Sequence, residues 1–301
     1  MAKFLNIFLK VAKVVGIVVF VFLIAFEVGR NIELKLFNTI TDAPEDSAIS
    51  VTFYDVNQAD CTLISFSDKW ILIDCGGYAT GKLLDRYFSK LGIESFDAVF
   101  FTHPDADHYG GMLYLKDKYK VKHIYQPDMD FSEVNETYID LIEELESTGV
   151  ENTYLVSGDS LSMDGVRFSV MGPVFVSEET NDMSLVMRIS YGKFSLLYCG
   201  DMEEDEVSDI IDEHSGELGS DILKVAHHGS KSGTNSELLD EISPKYAIIS
   251  VGENTYHLPN YKVMELLSEY DLDVLTTQDY GNITINYTNK YEITTERNKL
   301  S

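Results

Sequence analysis

From Ala48 onward, apolar and polar positions follow two rhythms. SVTFYDV (50–56) alternates residue by residue, as a half-buried strand does. CTLISF (61–66) and WILIDC (70–75) follow at hairpin-like spacing. LLDRYFSKLG (83–92) has helical periodicity, with Gly92 as its stop signal. DAVFFTH (97–103) is a short apolar strand running into a polar loop, and VKHIYQ (121–126) reads as another strand. TYIDLIEELESTG (137–149) is an amphipathic helix ending at Gly149. Strands are predicted near 152–156, 166–171, 184–190 and 194–199. Helices over 204–214, 236–242 and 261–270 then alternate with strands over 221–227 and 246–251, and strands near 272–276 and 282–286 close the chain. This order predicts a layered α/β domain over 48–301. Asp74, His103, Asp201 and His227 fall where strands end, and layered α/β proteins carry functional groups on such loops.

The first 47 residues break the pattern. Val14 to Phe26 is an unbroken apolar run, preceded by the mostly apolar FLNIFLKVAK. A helix of that run alone rises about 20 Å, short of a hydrocarbon core of roughly 30 Å. Including Phe4 to Leu9, with Lys10 and Lys13 snorkelling, makes a span. Residues 1–30 are therefore expected to be a single transmembrane anchor, and 31–47 a linker. Lys3, Lys10 and Lys13 place the N-terminus in the cytoplasm and the remainder outside the membrane. A cleaved signal peptide is the rival reading, although Glu27, Val28, Gly29 and Arg30 give no small-x-small cleavage site.

Charge and cysteines narrow the function classes. The formal net charge is −27 over 301 residues, which repels phosphate backbones at long range. A stable nucleic-acid complex is not expected, although bound divalent cations would invert the local field for a substrate. Cys61, Cys75 and Cys199 form no CxxC pair, which argues against a thiolate zinc site. They are expected to be buried free thiols.

The chemistry concentrates in THPDADHYGG (102–111). His103, Asp105, Asp107 and His108 fall within six residues, directly after an apolar strand. Imidazole nitrogens and carboxylate oxygens are good ligands for zinc, manganese or iron. In a tight loop alternate residues share a side, so the adjacent Asp107 and His108 can serve a second metal beside the first. A second cluster, LLYCGDME (196–203), ends a strand at Asp201, whose two oxygens can bridge two cations. In a third, LKVAHHGSKSG (223–233), His227 and His228 follow an apolar strand.

Together these segments resemble the metallo-β-lactamase-fold hydrolases. FYDVNQADCTLI (53–64), ILIDCGG (71–77), FTHPDADHYGG (101–111), NDMSLVMRI (181–189), LLYCGD (196–201), LKVAHHGSKSG (223–233) and ISVGENTYHLP (249–259) stand in family order. They are similar to the extracytoplasmic domain of ComEC-type DNA-uptake proteins over nearly all of 50–285. The resemblance implies an αββα sandwich and two divalent cations, zinc or manganese. It implies that His103 and Asp105 hold one metal, and Asp107 and His108 the other. Asp201 would bridge them and His227 would complete the second site. His228 would sit close by as an acid, a phosphate contact or a support for a ligand, and Asp74 would orient a ligand loop.

Departures from the family pattern stand out. Asn57 and Ala59 occupy places where many relatives have Gly, and Leu258 stands where a His before Pro is usual, with His257 one residue earlier. Asn181, Asp182 and Ser184 occupy the segment where lactamases and thioesterases of this fold carry a further His. His123 and His214 are expected to be structural or exposed. The expected activity is metal-dependent hydrolysis of a phosphodiester, DNA or a cell-envelope polymer, outside the membrane. The alternatives are an ester, lactone or amide hydrolase on the same fold, and a membrane-tethered binding protein.

Overall fold

The computed structural model describes residues 48–297 apart from Glu133 and Glu178. The expected anchor (1–30) and linker (31–47) lie outside the described residues. Among those described, no helix is long and apolar enough to cross a membrane.

In chain order the strands are β1 (Ile49–Phe53), β2 (Thr62–Phe66), β3 (Lys69–Ile73), β4 (Ser95–Phe96), β5 (Ala98–Phe100), β6 (Lys120–Val121), β7 (His123–Pro127), β8 (Glu151–Leu155), β9 (Ser160–Met163), β10 (Val166–Gly172), β11 (Val186–Tyr191), β12 (Phe194–Tyr198), β13 (Ile222–Lys224), β14 (Tyr246–Ile249), β15 (Asp273–Thr276), β16 (Ile283–Tyr287) and β17 (Tyr291–Thr295). The helices are α1 (Gly81–Lys90), α2 (Ala106–Tyr109), α3 (Met112–Leu115), α4 (Glu136–Ser147), α5 (Glu204–Glu213), α6 (Ser236–Ile242), α7 (Tyr261–Glu269) and α8 (Thr277–Tyr280).

One sheet runs β17-β16-β1-β2-β3-β5-β7-β8 and the other β15-β14-β13-β12-β11-β10-β9. Each is antiparallel in one half and parallel in the other, with the parallel pairings at β3-β5-β7-β8 and β12-β13-β14-β15. The sheets face each other across a core that includes Val51, Phe53, Phe100, Phe168, Ile189, Leu196 and Ile285. The outer face of the first sheet packs on α1 and α4, and that of the second on α5, α6 and α7. The layers are therefore α/β/β/α, as expected.

Local sequence explains these elements. β1 and β16 alternate buried and half-buried residues because only one face meets the core. β5 is buried on both faces, as strands covered by helices are. α4 presents Tyr138, Leu141, Ile142 and Leu145 to the core, and Asn135 caps it by accepting from the Thr137 amide at 2.8 Å.

Several segments differ from the expectation. The strand over 221–227 ends at Lys224, and Ala226–Gly229 is a 3₁₀ turn in which His227 and His228 have φ of 45° and 53°. β9 and β17 were absent from the pattern; β9 is four residues of alternating Ser and apolar side chains, and β17 is an edge strand with no fully buried position. The loop 104–111 coils into α2 and α3.

Candidate metal centre

The functional side chains sit at the C-terminal ends of parallel strands from both sheets. β3 leads to Asp74, β5 to His103, β12 to Asp201, β13 to His228 and β14 to Ser250. This is the end of a parallel sheet where strand-to-helix loops leave room for chemistry.

Two glycines let the loops close on one another. A Cβ on Gly111 would meet the Cys75 carbonyl oxygen at 2.0 Å, so Gly111 permits the HYGG segment to lie against the loop after Asp74. Gly200 has φ +52°, and a Cβ there would press on Ser184 and Thr102. Asn57, in a place where relatives carry Gly, also has positive φ, which Asn tolerates better than most side chains.

Asp107, His108, Asp201 and His228 each offer a ligand atom, and these atoms lie within 4.8 Å of one another. His228 Nε2 is 3.3 Å from Asp107 Oδ2 and 3.4 Å from Asp201 Oδ2. His108 Nε2 is 3.3 Å from Asp201 Oδ2. His103 and Asp105 flank the group, with His103 Nε2 3.8 Å from Asp105 Oδ2.

Each of the three buried imidazoles is held by its other nitrogen. His108 Nδ1 lies 2.8 Å from Asp74 Oδ2, His228 Nδ1 is 2.9 Å from the Ser250 carbonyl, and His103 Nδ1 is 3.1 Å from Thr102 Oγ1. Fixing Nδ1 in this way aims Nε2 into the centre. Asp74 is buried and also accepts from the Thr102 amide and hydroxyl at 2.9 and 2.8 Å.

The donor set fits a cation. Nε2 of His103, Nε2 of His108 and Oδ1 of Asp201 are buried without a hydrogen-bond partner. Leaving such atoms unsatisfied costs free energy that a bound cation would recover. The electrostatics agree. Burial, then the charge of His108, lowers the His103 imidazole to about 3, so it stands neutral with its lone pair available. Burial opposes ionisation of Asp107, yet the His228 hydrogen bond and the His108 charge hold its carboxyl at about 2. Burial likewise opposes ionisation of Asp201, but His228 and His108 keep it far below the usual carboxylate range. Burial works against a charged His108, but the Asp201 and Asp74 carboxylates outweigh it and raise the imidazole well above its ordinary value; a cation bound at Nε2 would compete with that proton.

Not every expected residue joins the group. The resemblance implies His227 at the second-metal position; in the structure it is His228 that lies with Asp107, His108 and Asp201. Two successive left-handed residues turn His228 inward and leave His227 partly exposed, with Nε2 3.9 Å from Asp201 Oδ2 and Nδ1 2.9 Å from Glu203 Oε1. His257 is exposed on the loop after β14. Asp182 accepts from the Glu203 amide, and Ser184 Oγ lies 3.4 Å from His103 Nδ1 and accepts from the Asp201 amide. His123 lies between Glu151 and Thr153, and His214 against Ser157, away from the centre. All three cysteines are buried free thiols.

Two residues beneath the centre escaped the sequence reading. Lys224, fully buried, places Nζ 2.6 Å from Oδ2 of the fully buried Asp60, off-axis for a hydrogen bond and so held by charge. Asp60 Oδ1 is 3.6 Å from His228 Nδ1, and the Asp60 amide donates to the Asp107 carbonyl at 3.2 Å. The available signal was a lysine on the same face of β13 as Ile222, inside an apolar run.

A family model described as the metallo-beta-lactamase superfamily matches residues 54–253. ComE operon protein 3 of Bacillus subtilis is 30% identical over 260 residues, covering 80% of this chain and 33% of that protein. Recombination protein 2 of Haemophilus influenzae is 30% identical over 255 residues, 82% of this chain and 30% of that one. The chain thus spans about a third of the length of these relatives. Among solved structures, the metallo-beta-lactamase fold protein YhfI of Bacillus subtilis aligns with a TM-score of 0.55 at 16% identity, covering 80% of this chain and all of that one. The four layers, the matched span and the donor set converge: the chain belongs to the metallo-beta-lactamase superfamily of metal-dependent hydrolases.

Proposed function

We propose that this chain is a phosphodiesterase using two divalent cations, zinc or manganese, and that its substrate is DNA or a cell-envelope phosphodiester. The observation carrying the proposal is the set of unpartnered buried atoms, His103 Nε2, His108 Nε2 and Asp201 Oδ1, in and beside the cluster of Asp107, His108, Asp201 and His228. His103 and Asp105 would hold the first cation, and Asp107, His108 and His228 the second, with Asp201 between them. The cations supply charge neutralisation and Lewis acidity when bound. Asp74 and the Ser250 carbonyl fix the His108 and His228 rings, so these ligands need no reorganisation. Asp107 is partly exposed and forms the solvent side of the centre. His227, also partly exposed, stands where its Nε2 can contact the leaving oxygen or donate a proton to it. This role passes to His227 from His228, whose ring is buried and committed.

The substrate class rests on the similarity to proteins named for the ComE operon and for recombination, together with the need for cations to admit a polyanion to so acidic a chain. With residues 1–30 as an anchor, the centre would act outside the membrane. The test is hydrolysis of a chromogenic phosphodiester and of linear DNA by residues 45–301 with Mn²⁺ or Zn²⁺, beside Asp107→Ala. Turnover abolished in the variant is expected. A folded, metal-loaded protein inert on both substrates would refute the reading.

A further inference from the structure

A second concave site lies on the outer face of the β9-β10-β11 half of the second sheet. It is a cavity of about 310 Å³ lined in part by Ser160, Arg167, Ser169, Arg188 and His214. Phe168, Val170, Met187 and Ile189 point into the inter-sheet core, so Arg167, Ser169 and Arg188 project from the opposite face. The β10-β11 register pairs Arg167 with Ser190 and Ser169 with Arg188. The two arginines are therefore diagonal neighbours, with Cβ atoms roughly 7–8 Å apart. The end of α5, marked by His214, walls the cavity.

The charge pattern here is unusual. The chain has five arginines and a net charge of −27, yet two of the five converge on one cavity. Neither is paired with a carboxylate among the described residues. Arg167 donates from Nε and Nη2 to Ser169 and Ser160, each at 3.2 Å, and Arg188 donates from Nε to the Gly219 carbonyl at 2.9 Å. A guanidinium has five N–H donors, so both retain most of theirs. Asp159 and Glu217 also stand on the rim: Asp159 Oδ2 accepts from the Val156 amide, and Glu217 Oε2 lies 3.7 Å from His214 Nδ1. Two like charges on one face of a sheet repel.

We propose that this cavity binds a phosphate monoester. Two guanidinium forks suit a tetrahedral dianion with several acceptor oxygens, and the Ser169 hydroxyl adds a donor. The volume fits a small molecule. A polymer passing from the metal centre is disfavoured, because α5 lies between the two sites and carries Glu204, Asp205, Asp209, Asp212 and Glu213. That helix is ten residues, about 15 Å, long. A phosphate monoester is also what phosphodiester hydrolysis releases; this link rests on the phosphodiesterase reading, whereas the chemistry of the cavity does not.

The test is calorimetric titration of the metal-loaded full chain with glycerol 3-phosphate, beside Arg167→Gln/Arg188→Gln. The expected result is saturable binding weakened at least tenfold in the double variant, with turnover of a chromogenic phosphodiester unchanged. Arg167→Gln alone, at an exposed position, should weaken binding several-fold and guards against misfolding of the double variant. Binding confined to the metal centre would persist equally in all three proteins, and that result, or no binding at millimolar ligand, would overturn the proposal. Absence of diester turnover in every protein would count against the phosphodiesterase reading and leave the binding comparison intact.

Discussion

Replacing Lys224 by Met isolates the contribution of the buried ion pair beneath the metal centre. Lys224 and Asp60 have no exposed surface, and their charged atoms are 2.6 Å apart. Methionine matches the aliphatic stem of lysine but leaves the Asp60 carboxylate without its countercharge. Asp74 is buried nearby, and the Asp60 charge already raises its carboxyl after burial has done so. Breaking a buried pair from one side costs about 3–5 kcal/mol. For a folded unit of roughly this size that lowers Tm by about 6–20 °C. Asn at position 60 in the same chain removes the orphaned charge, so Lys224→Met/Asp60→Asn should recover most of the loss. Chemical denaturation of the metal-free protein, followed by circular dichroism, measures all four corners of the cycle. A coupling of at least about 2 kcal/mol is expected for groups in direct contact. Additive single effects, or a Lys224→Met protein within about 1 kcal/mol of the parent, would refute the reasoning.

Asp74→Asn should leave the fold intact but weaken zinc binding about 10–100-fold, because the His108 ring loses its orienting carboxylate; competition with a chromogenic chelator reads this directly. Metal at 1,000 times its Kd should stabilise the protein by about 4 kcal/mol, so thermal scans with Zn²⁺ and with EDTA should differ by about 8–16 °C, and coincident scans would contradict a preformed centre. Burial holds the Glu206 carboxyl at about 8, against 4.5 for an ordinary glutamate. The folded state then keeps a proton that the unfolded chain releases, so this group's stabilisation is complete below pH 4.5 and is lost as pH rises to about 8. Glu206→Gln, which can still accept from the Val174 amide, should flatten that part of the Tm–pH profile.

The layer order and most elements were legible because helix and strand periods are printed directly in the chain. The helix over 137–149 needed only its apolar spacing and a stop at Gly149, and the strand over 166–171 only its apolar pattern. THPDADHYGG announced itself by density, four ligand-type side chains in six residues. What stayed hidden depended on backbone direction or on distant partners. Nothing local in AHHGS says that both histidines adopt positive φ, and that choice decides which ring points inward. Asp60 is a lone acid in DVNQADC until β13 brings Lys224 against it, 164 residues later in the chain. β17 pairs with β16 across a short turn, yet as an edge strand with no fully buried residue it carries only a weak apolar signal.

The centre draws His103, Asp107 and His108 from one sheet and Asp201 and His228 from the other, so it exists only once the two sheets have met. Residue 228 must be synthesised and β13 docked before His108 acquires its facing imidazole, and such distant contacts form slowly. Until then the chain offers 103–108 as an open half-site that grips a cation weakly. Metal capture is thus expected to report completion of the tertiary structure, which makes cation uptake during refolding a clock for the final assembly of the two halves.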